Sequence, residues 1–400
     1  MQPLLQLTIR NFRSLRRVSV NLRSLNVLVG PNEAGKSNFL DVIQFLGDSV
    51  RDDLEPALNR RGGYDRVRFR GEQQPSSGPV VIEVKAAVTT NSSPSAPDEY
   101  RLAFWMQRFT SRQSSYLMRD EQFTFKRTRG RGRRITIRGN KAEFIDTASQ
   151  GQQSKSELPL RRDSLGLSTL RRLPAEEGGA EVTRVAELFS TFRVLDVDVA
   201  EARKPSRMTN DPLASNGSNL ASFLIRLRND EDRFEDLEND ARHMIPGLRK
   251  IEFERIGGSS EAVAIKLVEN GLRGPTDLAD ASYGTIRLLV LLAALYDPSP
   301  PLLTCIEEVD HGLHPYVFDR LVERLREASS RTQFLIATHS PALVNRLDPE
   351  ELIVCERGSD GASRIPAIAT ELINQKAELF DGRLGLGEIW FSGTLGGVPR

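Results

Sequence analysis

The chain has 400 residues, 39% of them hydrophobic and 27% charged, with a formal net charge of +1, which exceeds what one hydrophobic core usually supports and predicts two lobes or one domain with a large insertion. This composition excludes a disordered chain and a globally basic nucleic-acid binder. The longest apolar run, Leu288 to Tyr296, is far short of the roughly 20 residues of a membrane-spanning helix, and no secretory h-region opens the chain, so a cytoplasmic protein with no membrane partner is expected.

The chain begins with two strand-like segments, Leu4 to Ile9 and Val18 to Leu22, and a third apolar run, Asn26 to Val29, stops at Gly30. A helix is predicted from Ser37, with Phe39, Leu40, Val42, Ile43, Phe45 and Leu46 covering most of its circumference, as burial against a sheet requires. From Val80 to about Ile137 the period falls to two. Val80–Val84, Tyr100–Trp105, Phe123–Phe125 and Ile135–Ile137 read as strands of an antiparallel meander. Arg138 to Ala180 is rich in Gly, Ser, Gln and Arg and weakly periodic, which predicts a mobile insert or subunit-contact region. Lys126 to Arg172 holds 13 basic and 4 acidic residues, a net +9 in a chain of net +1. Helices are then expected near 181–191, 217–228 and 230–244, strands near 249–255 and 262–268, and an apolar α/β alternation to about residue 356. Cys305 and Cys355 both lie in strand-like runs, where a free thiol behaves as a small hydrophobe, so neither a disulfide nor a zinc site is implied.

The segment Gly30-Pro31-Asn32-Glu33-Ala34-Gly35-Lys36-Ser37 matches G-x-x-x-x-G-K-[ST] between a predicted strand and a predicted helix. In that context successive backbone N–H groups and the helix N-terminus receive nucleotide phosphates, Lys36 reaches the β- and γ-phosphates, and the Ser37 hydroxyl reaches Mg²⁺. Leu302 to Ile306 is a short buried-strand run ending in two acids. Such a strand delivers carboxylates to the sheet edge beside the phosphate loop, so Glu307 is expected to hold Mg²⁺ and Glu308 to polarise the attacking water. A second apolar strand, Phe334 to Thr338, ends at His339-Ser340-Pro341. That histidine reads either as a structural residue or as a γ-phosphate sensor.

Five stretches occur together: Ile9-Arg10-Asn11-Phe12-Arg13-Ser14-Leu15; the phosphate loop followed by Asn38; Ser282-Tyr283-Gly284-Thr285-Ile286-Arg287; Glu307-Glu308-Val309-Asp310-His311-Gly312-Leu313-His314-Pro315; and Ala337-Thr338-His339-Ser340-Pro341. In this order they resemble the ATPase heads of the RecF and SMC type within the ABC superfamily, in particular the stand-alone ATPases related to the overcoming-lysogenization-defect (OLD) proteins. The likeness spans roughly residues 1–50 and 180–400. It implies an α/β P-loop NTPase with a mixed central sheet and an inserted antiparallel β-rich lobe. The ATPase domain would then run through residues 1–70 and 181–400, with the lobe and basic segment at 71–180.

The resemblance further implies that ATP is contacted by Gly30 to Asn38. Ser282 and Gly284 would form a signature loop that meets the γ-phosphate bound by the opposite subunit, Asp310 would lie at the dimer seam, and His339 would be a switch histidine. A homodimer or higher homo-oligomer follows. The sequence departs from the family in having Glu307 where aspartate is usual, and Ala281 and Tyr283 where transporters commonly carry leucine and glycine. Only about 40 residues follow Arg357, too few for the Toprim nuclease domain of OLD proteins, so no nuclease is expected in this stretch.

Two roles remain open on sequence. The chain could be an ATP-driven DNA-binding factor of the repair and recombination type, contacting duplex DNA through Arg127, Arg129, Arg131, Arg133, Arg134 and Arg138. It could instead be the sensor and scaffold subunit of a prokaryotic anti-phage defence or toxin-like system that controls a separate effector protein.

Overall fold

The computed structural model describes residues 3–71, 78–109, 114–126, 132–147, 153–161, 164–174, 177–257, 261–380 and 383–397. The N-terminal part holds β1 (Leu4–Phe12), β2 (Leu15–Asn21), β3 (Leu25–Val29), α1 (Lys36–Asp52), α2 (Leu54–Asn59) and α3 (Tyr64–Val67). Then come β4 (Val80–Ala86), β5 (Asp98–Phe109), β6 (Ser114–Phe125), β7 (Arg133–Arg138), β8 (Lys141–Thr147), β9 (Gln153–Pro159), α4 (Gly166–Thr169) and α5 (Gly179–Ser190). The next stretch comprises β10 (Arg193–Leu195), α6 (Val199–Ala202), β11 (Ser206–Arg207), α7 (Leu220–Leu227), α8 (Glu231–Met244), β12 (Leu248–Ile256), β13 (Ala262–Glu269), β14 (Thr276–Asp277) and α9 (Tyr283–Leu295). The chain ends with β15 (Leu303–Ile306), α10 (Phe318–Ala328), β16 (Gln333–Thr338), α11 (Pro341–Val344), β17 (Leu352–Val354), β18 (Glu356–Arg357), β19 (Ser363–Arg364), α12 (Thr370–Leu379) and α13 (Leu386–Phe391).

Parallel and antiparallel strands segregate into separate sheets. The five-stranded sheet, in the order β10-β15-β16-β3-β17, is parallel throughout. An eight-stranded antiparallel sheet runs β2-β1-β4-β5-β6-β7-β8-β9. The expected mixed central sheet is therefore two sheets, and the meander is a continuation of the β1–β2 hairpin, joined by the β1–β4 pairing. In the stretch from Arg138 to Ala180, expected to be a mobile insert or subunit-contact region, the described residues include β8, β9, α4 and the start of α5. Its strands are weakly periodic, so the pairing of β8 with β7 and of β9 with β8 shapes them more than their own periodicity does.

Alternation along the parallel strands explains the layering. Leu25, Val27 and Val29 of β3 and Phe334 and Ile336 of β16 face one apolar core, while Leu28, Leu335 and Ala337 face the other. Both sheet faces are thus covered, as a parallel sheet requires. Helices α1 and α5 fill the layer between the two sheets, and α9 and α10 pack on the opposite face. Gln333, fully buried, ties the layers together: its amide accepts from Leu4 N at 3.0 Å and donates to Leu4 O and Arg23 O at 2.7 Å. No helix among the described residues is long and apolar enough to cross a membrane.

Candidate nucleotide site

The parallel strands end at one edge, and three of them deliver the expected residues there. β3 runs into Gly30, β15 into Glu307 and Glu308, and β16 into His339. The turn from β3 to α1 leaves no room for side chains at its glycines. A Cβ on Gly30 would lie 2.3 Å from Cys355 O, and one on Gly35, where φ is +101°, would lie 2.1 Å from Ser363 Oγ. Glu33 also takes a left-handed backbone with φ 66°, so the loop curls as a concave run of amides of the kind that binds anions. The helix begins at Lys36, one residue before the expected Ser37.

Lys36 is buried, and its ammonium donates to Gly30 O at 2.7 Å and Pro31 O at 2.9 Å, with His339 Nδ1 at 3.5 Å. Among the described residues no carboxylate pairs with it. Burial pulls its pKa below the ordinary lysine value, against the raising influence of the Cys355 thiol and of Glu308, Asp310 and Glu307. A desolvated cation held by carbonyls and an imidazole, without a carboxylate, at an amide-lined turn is a place for an anion. Ser37 Oγ donates to Glu307 Oε2 at 2.9 Å. Burial raises the Glu307 carboxyl above its usual range, the Ser37 bond opposes this, and Asp196, Glu308 and Asp41 add to it. Two hard oxygens together, one on a carboxylate that has no counter-charge among the described residues, suit Mg²⁺. Ser37 and Glu307 could hold it.

Glu308 is exposed and stands in the left-handed region with φ 48°. His339 is pushed below the ordinary imidazole value by burial and then by Lys36, so it is neutral near pH 7. Asp310 accepts from Thr338 Oγ1, a residue that also receives Ser340 N–H at 3.1 Å. An open cleft of about 620 Å³ is lined by Asn32, Glu33, Gly35, Lys36, Ser37, Asn38, Glu307, Glu308, Ala337, His339 and Arg357. The structure thus brings together the phosphate loop, both acids and the histidine. Ser282 and Gly284 do not line that cleft. Ser282 instead caps α9, accepting from Thr285 N at 3.2 Å, and Gly284 packs so closely on Gly312 that a Cβ would lie 2.5 Å from its carbonyl oxygen.

Three features were not singled out from sequence. Arg357, on β18, lines the cleft and donates to Glu33 O at 3.2 Å. Asn38 Nδ2 donates to Ser14 Oγ at 2.7 Å, and Ser363 Oγ donates to Ser14 Oγ at 2.7 Å, so the β1–β2 turn braces the first turn of α1. A second cavity of about 550 Å³, lined by Arg13, Arg66, Arg68, Phe69, Arg70 and Arg357, adjoins Asn38. A basic residue after the last parallel strand was the one available signal for Arg357. For the basic segment, Arg127 to Arg131 lie outside the described residues; Arg133 is buried near Glu181 at 3.5 Å, while Arg134 and Arg138 are exposed. Arg133 therefore does not present itself to a nucleic acid as expected, because β7 alternates and its Ile135 face is the core face.

A family model described as "AAA domain, putative AbiEii toxin, Type IV TA system" matches residues 25–345. The chain belongs to this AAA-domain family. Endonuclease GajA of Bacillus cereus (strain VD045) is 48% identical over 42 residues, which is 10% of this chain and 7% of that protein. Among solved structures, an SMC head bound to the C-winged helix domain of ScpA matches with a TM-score of 0.53 and 14% identity over 93% of this chain and 99% of its own. An SMC head with an extended coiled coil, bound to the C-terminal domain of ScpA and derived from Pyrococcus furiosus, gives 0.53 and 12% over 95% and 100%. At those identities the heads establish the fold. This AAA-domain protein thus has the fold of the SMC heads, with a phosphate-binding loop at the edge of its parallel sheet.

Proposed function

We propose that this AAA-domain protein binds and hydrolyses ATP with Mg²⁺, at sites completed by a second copy docked head to head. The observation that carries this reading is Lys36: a buried ammonium whose partners among the described residues are two carbonyls and the His339 ring, with no carboxylate, in one cleft with the Ser37–Glu307 pair, Glu308 and His339. Gly30 to Gly35 would receive the phosphates on their amides, and Lys36 would trade its carbonyl contacts for phosphate oxygens. Mg²⁺ held by Ser37 and Glu307 would neutralise charge on the β- and γ-phosphates. Glu308 orients and deprotonates the attacking water, and neutral His339 donates toward the γ-phosphate. The nucleoside would extend past Asn38 toward the Arg13–Phe69 cavity, since the helix N-terminus fixes the direction of the phosphates. Ser282, Gly284 and Asp310, absent from the cleft of their own chain, would serve the opposite subunit's site.

For the biological role, the family's association with a type IV toxin–antitoxin system and the GajA match support an ATPase subunit of a defence or toxin-like system acting with an effector partner. DNA repair is the second reading, and exposed Arg134 and Arg138 keep it in view. ATP turnover by the wild type, Lys36→Ala and Glu308→Gln over a protein concentration series, with and without duplex DNA, tests all of this. Turnover that rises more than linearly and vanishes in both variants supports shared sites. Stimulation by DNA would shift the role to repair, and failure to bind nucleotide would remove the central reading.

A further inference from the structure

Arg287, on the second turn of α9, is buried to 4% exposure, and among the described residues no carboxylate pairs with it. Its Nη2 donates to Glu307 O at 3.1 Å and to Glu308 O at 2.6 Å, and its Nε has no hydrogen-bond partner among the described residues. A buried guanidinium is costly unless its donors are taken up, and here backbone carbonyls take those of Nη2. Here it grips the backbone at the point where β15 ends. Glu308 takes a left-handed backbone with φ 48°, which a side chain with a Cβ adopts only when its surroundings hold it there. Arg287 and the His311 N–H, at 2.9 Å, together saturate the Glu308 carbonyl, and Val309 N donates to Ala337 O at 3.2 Å.

The same block of structure contains the loop that begins α9. Ser282 caps the helix whose second turn bears Arg287, the Tyr283 ring lies 5.4 Å from that of His311, and Gly284 abuts the Gly312 carbonyl. A shift of the Ser282–Gly284 loop therefore moves α9 and, through Arg287, the turn at Glu308. We propose that Arg287 is a positioning residue that holds Glu308 in its left-handed turn and transmits engagement of the Ser282–Gly284 loop to that carboxylate within the same chain. This inference rests on the reading of Glu308 as the catalytic base and of Ser282–Gly284 as the loop that meets the second copy's nucleotide. If it holds, occupancy of one shared site aligns the carboxylate of the other, and turnover is cooperative in ATP.

The test compares Arg287→Lys and Arg287→Met in the full-length chain, each alone and combined with Glu308→Gln. Lysine keeps the charge but loses the planar fork, so it should lie between the wild type and Met. For Arg287→Met we expect kcat to fall roughly 10²-fold, the scale set by misplacing a reacting group by about 1 Å, with KM and the affinity for a fluorescent ATP analogue within a few-fold of wild type. The Hill coefficient for ATP should fall toward one. In nucleotide-free protein, amide exchange across 307–312 should accelerate while α1 stays protected, a readout that does not depend on turnover. Adding Arg287→Met to Glu308→Gln should lower residual turnover no further.

Wild-type kcat in Arg287→Met would overturn the inference, as would multiplicative losses in the double variant or a loss of ATP affinity in step with thermal stability. The two readings fail separately. If Glu308→Gln alone keeps wild-type turnover, the base assignment fails and the inference goes with it. If Glu308→Gln is inactive but the exchange at 307–312 and the kcat of Arg287→Met are unchanged, only the inference fails.

Discussion

Lys36, buried, and Glu307, half-buried, are charges of opposite sign, each displaced by burial toward its neutral form. Lys36→Ala should abolish detectable ATP binding, measured by titration with a fluorescent analogue, because the loop amides alone lack the compensating charge. Glu308→Gln should keep binding and lose most turnover, on the order of 10²-fold or more for removal of a general base. Glu307 supplies a pH prediction. Its folded pKa lies above the unfolded one, so the folded chain holds the proton more tightly; that stabilisation is complete below the ordinary carboxylate value and disappears as pH rises through the folded value. Mg²⁺ needs the ionised form, so it gains affinity over the same rise. The Mg²⁺-dependent increase in melting temperature of the nucleotide complex should grow as pH rises above the ordinary carboxylate value. Glu307→Gln should flatten that dependence, and an unchanged slope would contradict the assignment.

Elements hold the site through buried polar contacts that periodicity does not announce. In the antiparallel sheet Arg119 and Glu121 of β6 are both buried and 3.2 Å apart. Glu121 accepts from Gly166 N at 2.7 Å and from Tyr100 Oη at 3.1 Å, and Arg119 donates to Ser164 O at 2.7 Å. This network fastens the chain leading into α4 and α5 to the sheet, and α5 packs on α1. Glu121→Ala leaves the guanidinium buried and uncompensated, and should cost about 3–5 kcal/mol in a urea titration. The same logic applies to α8. Its sequence reads as a solvated acidic helix with Phe234, Leu237 and Ala241 inward, and those three are buried, yet Asp240 is fully buried too. Tyr296 Oη donates to it at 2.5 Å and Arg320 Nε at 2.7 Å. Neither network has a local sequence signature, because each joins residues that are far apart in the chain.

At the scale of the whole molecule, the two sheets meet across α1, and the cleft sits where the parallel strands end. Nine of the fifteen residues assigned to nucleotide chemistry line that cleft, while Ser282, Gly284 and Asp310 do not. On the proposed reading, a second copy docked head to head reunites them. Ser282→Arg should therefore leave ATP affinity within a few-fold of wild type while abolishing turnover and ATP-dependent dimerisation, followed by light scattering; a variant that still dimerises with ATP would argue against shared sites.

The sequence by itself determined the phosphate loop, the acid pair after β15 and the histidine after β16, because each is a local pattern: a glycine turn between strand and helix, or a polar pair ending an apolar run. It also placed the strands from Val80 to Ile137, whose alternation is set by one buried face. Tertiary structure decided what depends on contacts between distant segments. The separation of parallel from antiparallel sheets, the strands β8 and β9, the burial of Arg133, Arg357 in the cleft, and the grip of Arg287 on the Glu307 and Glu308 carbonyls are all of this kind. Such contacts are fixed by which faces can be buried together, and no spacing along the chain encodes that.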